Sequence, residues 1–140
     1  DWTLSRGLGD VYKRQDKVHF YKDLSFKEVR DLYCSADIVV IPSLYEGFGF
    51  AIGEAMACKV PVITTTGGAI PEVIEDCGIM VPPANSEALE KAILELIPDE
   101  ELKNSLSEKG FRRIIEHLQW KEVADLMTES YQKEINKVLS

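Results

Sequence analysis

The sequence predicts an α/β domain, a Rossmann-like parallel sheet with flanking helices. From Lys17 onward, apolar runs of strand length alternate with segments of helical period. The run Ile38-Val39-Val40-Ile41 is continuous rather than alternating, which suits a parallel strand covered on both faces. The 140 residues are 45% hydrophobic and 29% charged, enough apolar mass for one buried core. That composition excludes a disordered tail, a collagen-like chain and a disulfide scaffold.

Residues 1–16 show neither helical nor strand period and are left unassigned, as a variable segment or an assembly artefact at a truncated end. Gly7-Leu8-Gly9 has no strand before it and no third glycine, so it is a weak phosphate-loop signal. Val18-His19-Phe20-Tyr21 reads as a short strand. Ser25 and Glu28 form a capping box that opens a helix over residues 26–35, with Phe26, Val29, Leu32 and Tyr33 at helical spacing. Residues 37–41 are the next strand, ended by Pro42-Ser43, and a loop leads to a helix over residues 50–58. Residues 61–65 form a strand, followed by a Gly67-Gly68 turn and a short helix over residues 71–75. Ile79-Met80-Val81 is a further strand, closed by Pro82-Pro83. The remainder is helical. Ala88, Leu89, Ala92, Ile93 and Leu96 make one stripe, and Asp99 N-caps a second helix. A third starts at Trp120, its anchor, and carries Val123, Leu126, Met127, Tyr131, Ile135 and Val138 on its apolar face.

Sixteen basic against 24 acidic residues give a net charge of −8, a poor basis for holding a nucleic-acid backbone. A small anionic ligand needs only local donors, so it stays open. Cys34, Cys58 and Cys77 are odd in number and form no C-x-x-C pair; they are expected to be free thiols in or near the core of a protein from a reducing compartment. His19 and His117 are too few for a zinc-type cluster, and no D-x-D motif is present. No apolar run approaches the ~20 residues of a membrane span, and no signal-peptide pattern is visible. A cytoplasmic domain with no metal and no nucleic-acid partner is expected.

In open parallel sheets, ligands bind outside the carboxyl ends of the strands, which directs attention to the loop after Ile41. It reads Pro42-Ser43-Leu44-Tyr45-Glu46-Gly47-Phe48-Gly49-Phe50. Gly47 and Gly49 let the backbone approach a ligand closely. They fall where a helix begins, so unpaired amides and the positive end of the helix dipole offer phosphate affinity without lysine or arginine. Glu54 is the one charged residue in a helix otherwise of Ala, Ile, Gly, Met and Phe. A carboxylate buried there is costly unless hydrogen-bonded, and vicinal sugar or ribose hydroxyls would meet that need. Glu46 stands at the start of the loop. Singly, these are also explained as turn glycines, a carboxylate capping nearby backbone and a solvated loop residue. Together they fall where a diphosphate ligand needs them.

Glu46 and Glu54 are separated by seven residues, and that E-x7-E spacing resembles the signature of retaining glycosyltransferases with the GT-B fold. The surrounding Glu46-Gly47-Phe48-Gly49 and Glu54-Ala55-Met56-Ala57 are similar to the motifs of glycosyltransferase family 4. So are Pro61-Val62-Ile63, Gly67-Gly68, Pro71-Glu72-Val73-Ile74, Gly78-Ile79-Met80-Val81-Pro82 and Trp120, in order and spacing. The resemblance covers residues 17–140 and implies part of the C-terminal, nucleotide-sugar-binding domain of a GT-B enzyme. It implies that Glu46 is catalytic, contacting hydroxyls of the transferred sugar and stabilising positive charge near the anomeric carbon. The amides of Gly47, Phe48, Gly49 and Phe50 would hold the sugar and diphosphate. Glu54 would bind the ribose, and Tyr21 and Lys22 would lie by the base, touched mainly through backbone. The donor would be a UDP-, GDP- or ADP-sugar, with no metal or other cofactor. The partner would be an N-terminal acceptor-binding domain of the parent protein, itself cytoplasmic or peripheral on the inner face of the membrane. The alternatives are a non-catalytic nucleotide-sugar-binding or interaction module of the same fold and, less well matched, a nucleotide-sugar 2-epimerase.

Three departures bear on this. Tyr21 and Lys59 stand where members of the family usually have glycine. The upstream strand–helix unit with its diphosphate-gripping arginine and lysine has no match in residues 1–15. The chain alone is therefore expected to be inactive, with one edge of its sheet bare and apolar surface beside it.

Overall fold

A computed structural model describes residues 17–139. Three strands, β1 (Val39–Ile41), β2 (Val62–Thr65) and β3 (Ile79–Val81), form a parallel sheet in that order. Val39 pairs with Val62 and Ile41 with Thr64; Ile63 pairs with Ile79 and Thr65 with Val81. The helices are α1 (Phe26–Ser35), α2 (Phe50–Ala57), α3 (Ile70–Ile74), α4 (Ser86–Leu96), α5 (Glu100–His117) and α6 (Trp120–Leu139).

Alternation along β2 divides the core. Val62 faces Ile52 and Met56 of α2 and Ile70, Val73 and Ile74 of α3. Ile63 faces the other way, with Val81, Ala92 and Leu96 of α4 and Leu106 of α5. All four residues of β2, Val62 to Thr65, are buried, as in a strand covered on both faces, whereas the continuous apolar run of β1, read as such a strand, is only half-buried. Helix α5 serves both clusters, sending Leu106 to one and Ile114 to the other.

The local signals produce the expected caps. Ser25 and Glu28 make the reciprocal capping box of α1. The Asn85 side chain accepts from Ala88 N–H at 3.0 Å, and Asp99 accepts from Leu102 N–H at 2.8 Å, opening α4 and α5.

Residues 18–21 are not a strand, contrary to the sequence expectation. Phe20 is 90% exposed, and no described strand lies beside the segment. In a doubly wound sheet of order 3-2-1-4-5-6, three strands in plain sequence order form one half. The strand just before them in the chain belongs at the far end of the other half, with two strands between. Among the described residues no such neighbour lies beside residues 18–21, so they join no ladder there, whatever their β propensity. For the same reason the outer edge of β1 faces no described strand, and its residues are only half-buried. Ile38, Val40, Ile93 and Ile97 line an open apolar groove beside that edge, as expected of a bare edge. Helix α1 forms, but it buries no residue, and Phe26 is 94% exposed. The described side chains on the apolar side of α6, Met127, Tyr131 and Ile135, are half-exposed or more. Those of Trp120, Val123, Leu126 and Val138 lie outside the described residues, as do residues 1–16.

The cysteine expectation needs one correction. All three thiols are free, but Cys34 is exposed at the end of α1, while Cys77 is buried. Cys58 is pushed up to about 11, by burial first and then by its hydrogen bond with Cys34. Burial likewise raises Cys77, helped by the negative charge of Asp76. Alkylation with iodoacetamide at pH 8, read by peptide mass spectrometry, is expected to modify Cys34 first. Faster modification of Cys58 or Cys77 would contradict this placement.

Gly53 lies inside α2, and a Cβ there would meet only Ile114 Cδ1, at an ordinary 3.6 Å. Gly53→Ala is expected to stabilise the fold by about 0.5–1 kcal/mol, as a glycine removed from a helix interior should. Urea unfolding checks this, and a lower midpoint would show that the α2–α5 contact has no room.

Candidate functional site

The site begins where β1 ends. Two threonines of β2, which read as ordinary strand residues in sequence, turn their hydroxyls onto the chain leaving β1. Thr64 Oγ1 donates to the Ile41 carbonyl at 2.9 Å, and Thr65 Oγ1 to the Ser43 carbonyl at 2.5 Å. Both threonines are buried, so each hydroxyl needs a partner and each fixes one.

Glu46 is then held from three directions. Its N–H donates to the Gly67 carbonyl at 3.4 Å, and its carbonyl accepts from Ala69 N–H at 2.9 Å, a one-residue parallel bridge opposite Gly68. Its carboxylate accepts from the Ser43 hydroxyl at 2.7 Å. The Gly67-Gly68 turn makes this contact sterically possible. A Cβ on Gly67 would stand 2.2 Å from the Leu44 carbonyl oxygen, and one on Gly68 would stand 2.2 Å from that of Glu46. Gly68 also sits at φ +70°, in the left-handed region.

The two glycines of the loop differ in role. Gly49 is the N-cap of α2 at φ +80°, a conformation glycine adopts without strain, and no side chain caps the helix. Gly47 has open space where a Cβ would be and needs no positive φ. Its lack of a side chain is therefore not required by the chain's own packing. The N–H groups of residues 47, 48, 49, 50 and 51 donate to no group among the described residues. These donors lie at the N-terminal, positive end of the α2 dipole, directly after Glu46 in the chain. Phe48 and Phe50 flank them with rings 4.7 Å apart and tilted by 40°.

Glu54 is on the second turn of α2, as its position predicts, but it is exposed. The expected penalty for burying its carboxylate therefore does not arise. The side of α2 facing outward needs no apolar residue, whereas Ile52, Ala55 and Met56 face inward and are buried. The neighbour of Glu54 is Tyr33 of α1. The Tyr33 phenol is held above its ordinary value by burial first, then by the Glu54 charge and a hydrogen bond to it. Glu54 also borders a groove of about 380 Å³ whose walls include Phe48, Phe50, Val73, Ile114 and Leu118. Tyr21 and Lys22 are exposed, and no hydrogen bond or ion pair joins them to the loop among the described residues. Among the described residues no group of three or more His, Cys, Asp and Glu could hold a metal ion. None of the described helices is long and apolar enough to cross a membrane.

The profile of a family described as glycosyl transferases group 1 matches residues 9–113. The MMP alpha-(1->4)-mannosyltransferase of Mycolicibacterium hassiacum is 36% identical over 126 residues, covering 88% of this chain and 31% of that protein. Among solved structures, the sucrose-phosphate synthase of Thermosynechococcus elongatus superposes with a TM-score of 0.79 at 30% identity, over 93% of this chain and 33% of that one. The C-terminal domain of a glycosyl transferase group 1 family protein from Francisella tularensis gives a TM-score of 0.64 at 30% identity, over 81% of this chain and 65% of that one. The chain thus spans about a third of the length of the mannosyltransferase.

Gly68 and Gly47 are expected to respond differently to a methyl group. Gly68→Ala should cost at least about 1–2 kcal/mol, from its left-handed φ alone, before the clash with Glu46 is counted. Gly47→Ala should change stability by no more than about 0.5 kcal/mol. Urea midpoints decide, and equal stability of the two variants would contradict the packing described.

Proposed function

The chain belongs to the glycosyl transferases group 1 family, and from that premise we propose that it forms part of the donor site of a retaining sugar transferase. The whole protein would move a sugar from a nucleotide diphosphate to an acceptor. The observation that supports this most directly is the row of undonated amides at residues 47–51, at the start of α2 and directly after Glu46 in the chain. Backbone donors at a helix start suit a diphosphate, and they do so in a chain of net charge −8 that has few cations to spare.

The roles proposed here are those that the resemblance to the family implies for these positions. Amides of Gly47, Phe48, Gly49 and Phe50 receive the diphosphate and sugar oxygens. Glu46, steadied by the Ser43 hydroxyl, accepts from hydroxyls of the transferred sugar. As the bond to the leaving diphosphate breaks, positive charge grows near the anomeric carbon, and a fixed carboxylate lowers the energy of that state. Glu54, exposed beside Tyr33, accepts from the two ribose hydroxyls. Tyr21 and Lys22 are assigned to the base through their backbone. We assign no metal; the amides and the α2 dipole meet the charge on the leaving diphosphate. The acceptor site is assigned to a domain outside this sequence, and the protein to the cytoplasm or the inner membrane face.

Ligand-observed NMR with UDP-, GDP- and ADP-sugars and their free diphosphates tests this. One nucleotide class should bind saturably, and Glu54→Ala should weaken it about tenfold or more, as for a lost hydrogen bond to a charged group. Glu46→Ala should keep nucleotide binding and lose the added affinity of the sugar. A folded chain that binds none of them, or binds equally well in Glu54→Ala, would overturn the assignment.

A further inference from the structure

We propose that Arg113 is a positioning residue for Glu46, acting through α3. The inference rests on the donor-site role of Glu46 proposed above and adds what holds that residue in place. Helix α3 has only five residues, too few for its own hydrogen-bond ladder to satisfy the carbonyls of its last turn. Arg113, on α5, supplies those partners. Its Nε donates to the Val73 carbonyl at 2.6 Å and its Nη2 to the Glu72 carbonyl at 2.5 Å. Its Nη1 lies 2.8 Å from the Glu75 carboxylate, and its side chain is only 13% exposed. Glu75 ends the helix at φ +45°, a left-handed conformation that a glutamate holds only when its surroundings fix it.

The other end of α3 is the Glu46 contact. Ala69 is its N-cap, and the Ala69 N–H donates to the Glu46 carbonyl at 2.9 Å. A single turn-and-a-half of helix thus runs from the backbone of Glu46 to the guanidinium of Arg113. Ile70, Val73 and Ile74 are buried, so the strut is also fixed along its length against the sheet. A rigid guanidinium fork can meet two carbonyls and a carboxylate at once, and a lysine ammonium would reproduce only part of this.

Amide hydrogen exchange of the 140-residue chain tests the strut without any ligand. Arg113→Gln should speed exchange of the Ala69 amide tenfold or more relative to the β2 amides of the same variant. Arg113→Lys should restore part of the protection. Equal acceleration at all amides, or none at Ala69, would overturn the inference. If Arg113→Gln does not fold, Glu75→Ala removes one of the three contacts and should give a smaller acceleration at the same amide; its absence would also overturn the inference. The second readout is the affinity ratio of the sugar nucleotide to the free nucleoside diphosphate, in whichever of the UDP, GDP and ADP classes binds. Arg113→Gln should lower it threefold or more, as Glu46→Ala should, with binding of the free diphosphate unchanged. If Glu46→Ala lowers the ratio and Arg113→Gln does not, the strut does not position Glu46. If Glu46→Ala leaves the ratio unchanged, the donor-site role itself fails, while Ala69 exchange still decides the strut.

Discussion

The carbonyl oxygens of Leu44 and Glu46 occupy the places where side chains at positions 67 and 68 would begin. Because both positions are glycine, the loop after β1 can lie directly on the turn after β2, backbone against backbone. The other features of the site depend on that contact. It sets the height of Glu46 above the sheet, lets Ala69 N–H reach its carbonyl, and brings the chain to Gly49 at the angle from which α2 starts. The buried Thr64 and Thr65 hydroxyls fix the same stretch earlier in the chain, at Ile41 and Ser43. The site is therefore built from the sheet outward.

Charge is arranged economically. An acidic chain that binds an anion must find positive potential somewhere, and in the proposed donor site it would come from the peptide groups at the start of α2. Those donors are fixed and need no counter-ion. The two carboxylates nearby do not oppose this if they face hydroxyls rather than phosphate. Glu46 is directed by Ser43, and Glu54 stands one to two turns along α2, next to Tyr33.

Much of this was legible in the residues. Continuous apolar runs gave β1, β2 and β3; Ser25, Asn85 and Asp99 marked helix starts; and the glycines before Phe50 marked the helix whose amides are free. What failed did so for definite reasons. Val18, Phe20 and Tyr21 have strand propensity, but pairing is a property of neighbours, and no described strand lies beside them. Glu54 looked buried because its helix is apolar by composition, yet eight residues of helix still have an outer face. Thr64, Thr65, Gly68 and Arg113 were not marked as site residues. Their contacts reach loops distant in sequence, and only the cluster Thr64-Thr65-Thr66-Gly67-Gly68 after a strand hinted at a backbone approach.

The central claim is that backbone amides at the start of α2 receive a nucleotide-sugar. The most direct measurement is a titration of the isotope-labelled chain with UDP-, GDP- or ADP-sugar, following each backbone amide by NMR. The account predicts that the largest saturable shifts fall on residues 47–51 and on Glu54, with little change along α4. Saturable shifts centred elsewhere on a folded chain, with the amides of residues 47–51 unmoved, would contradict it.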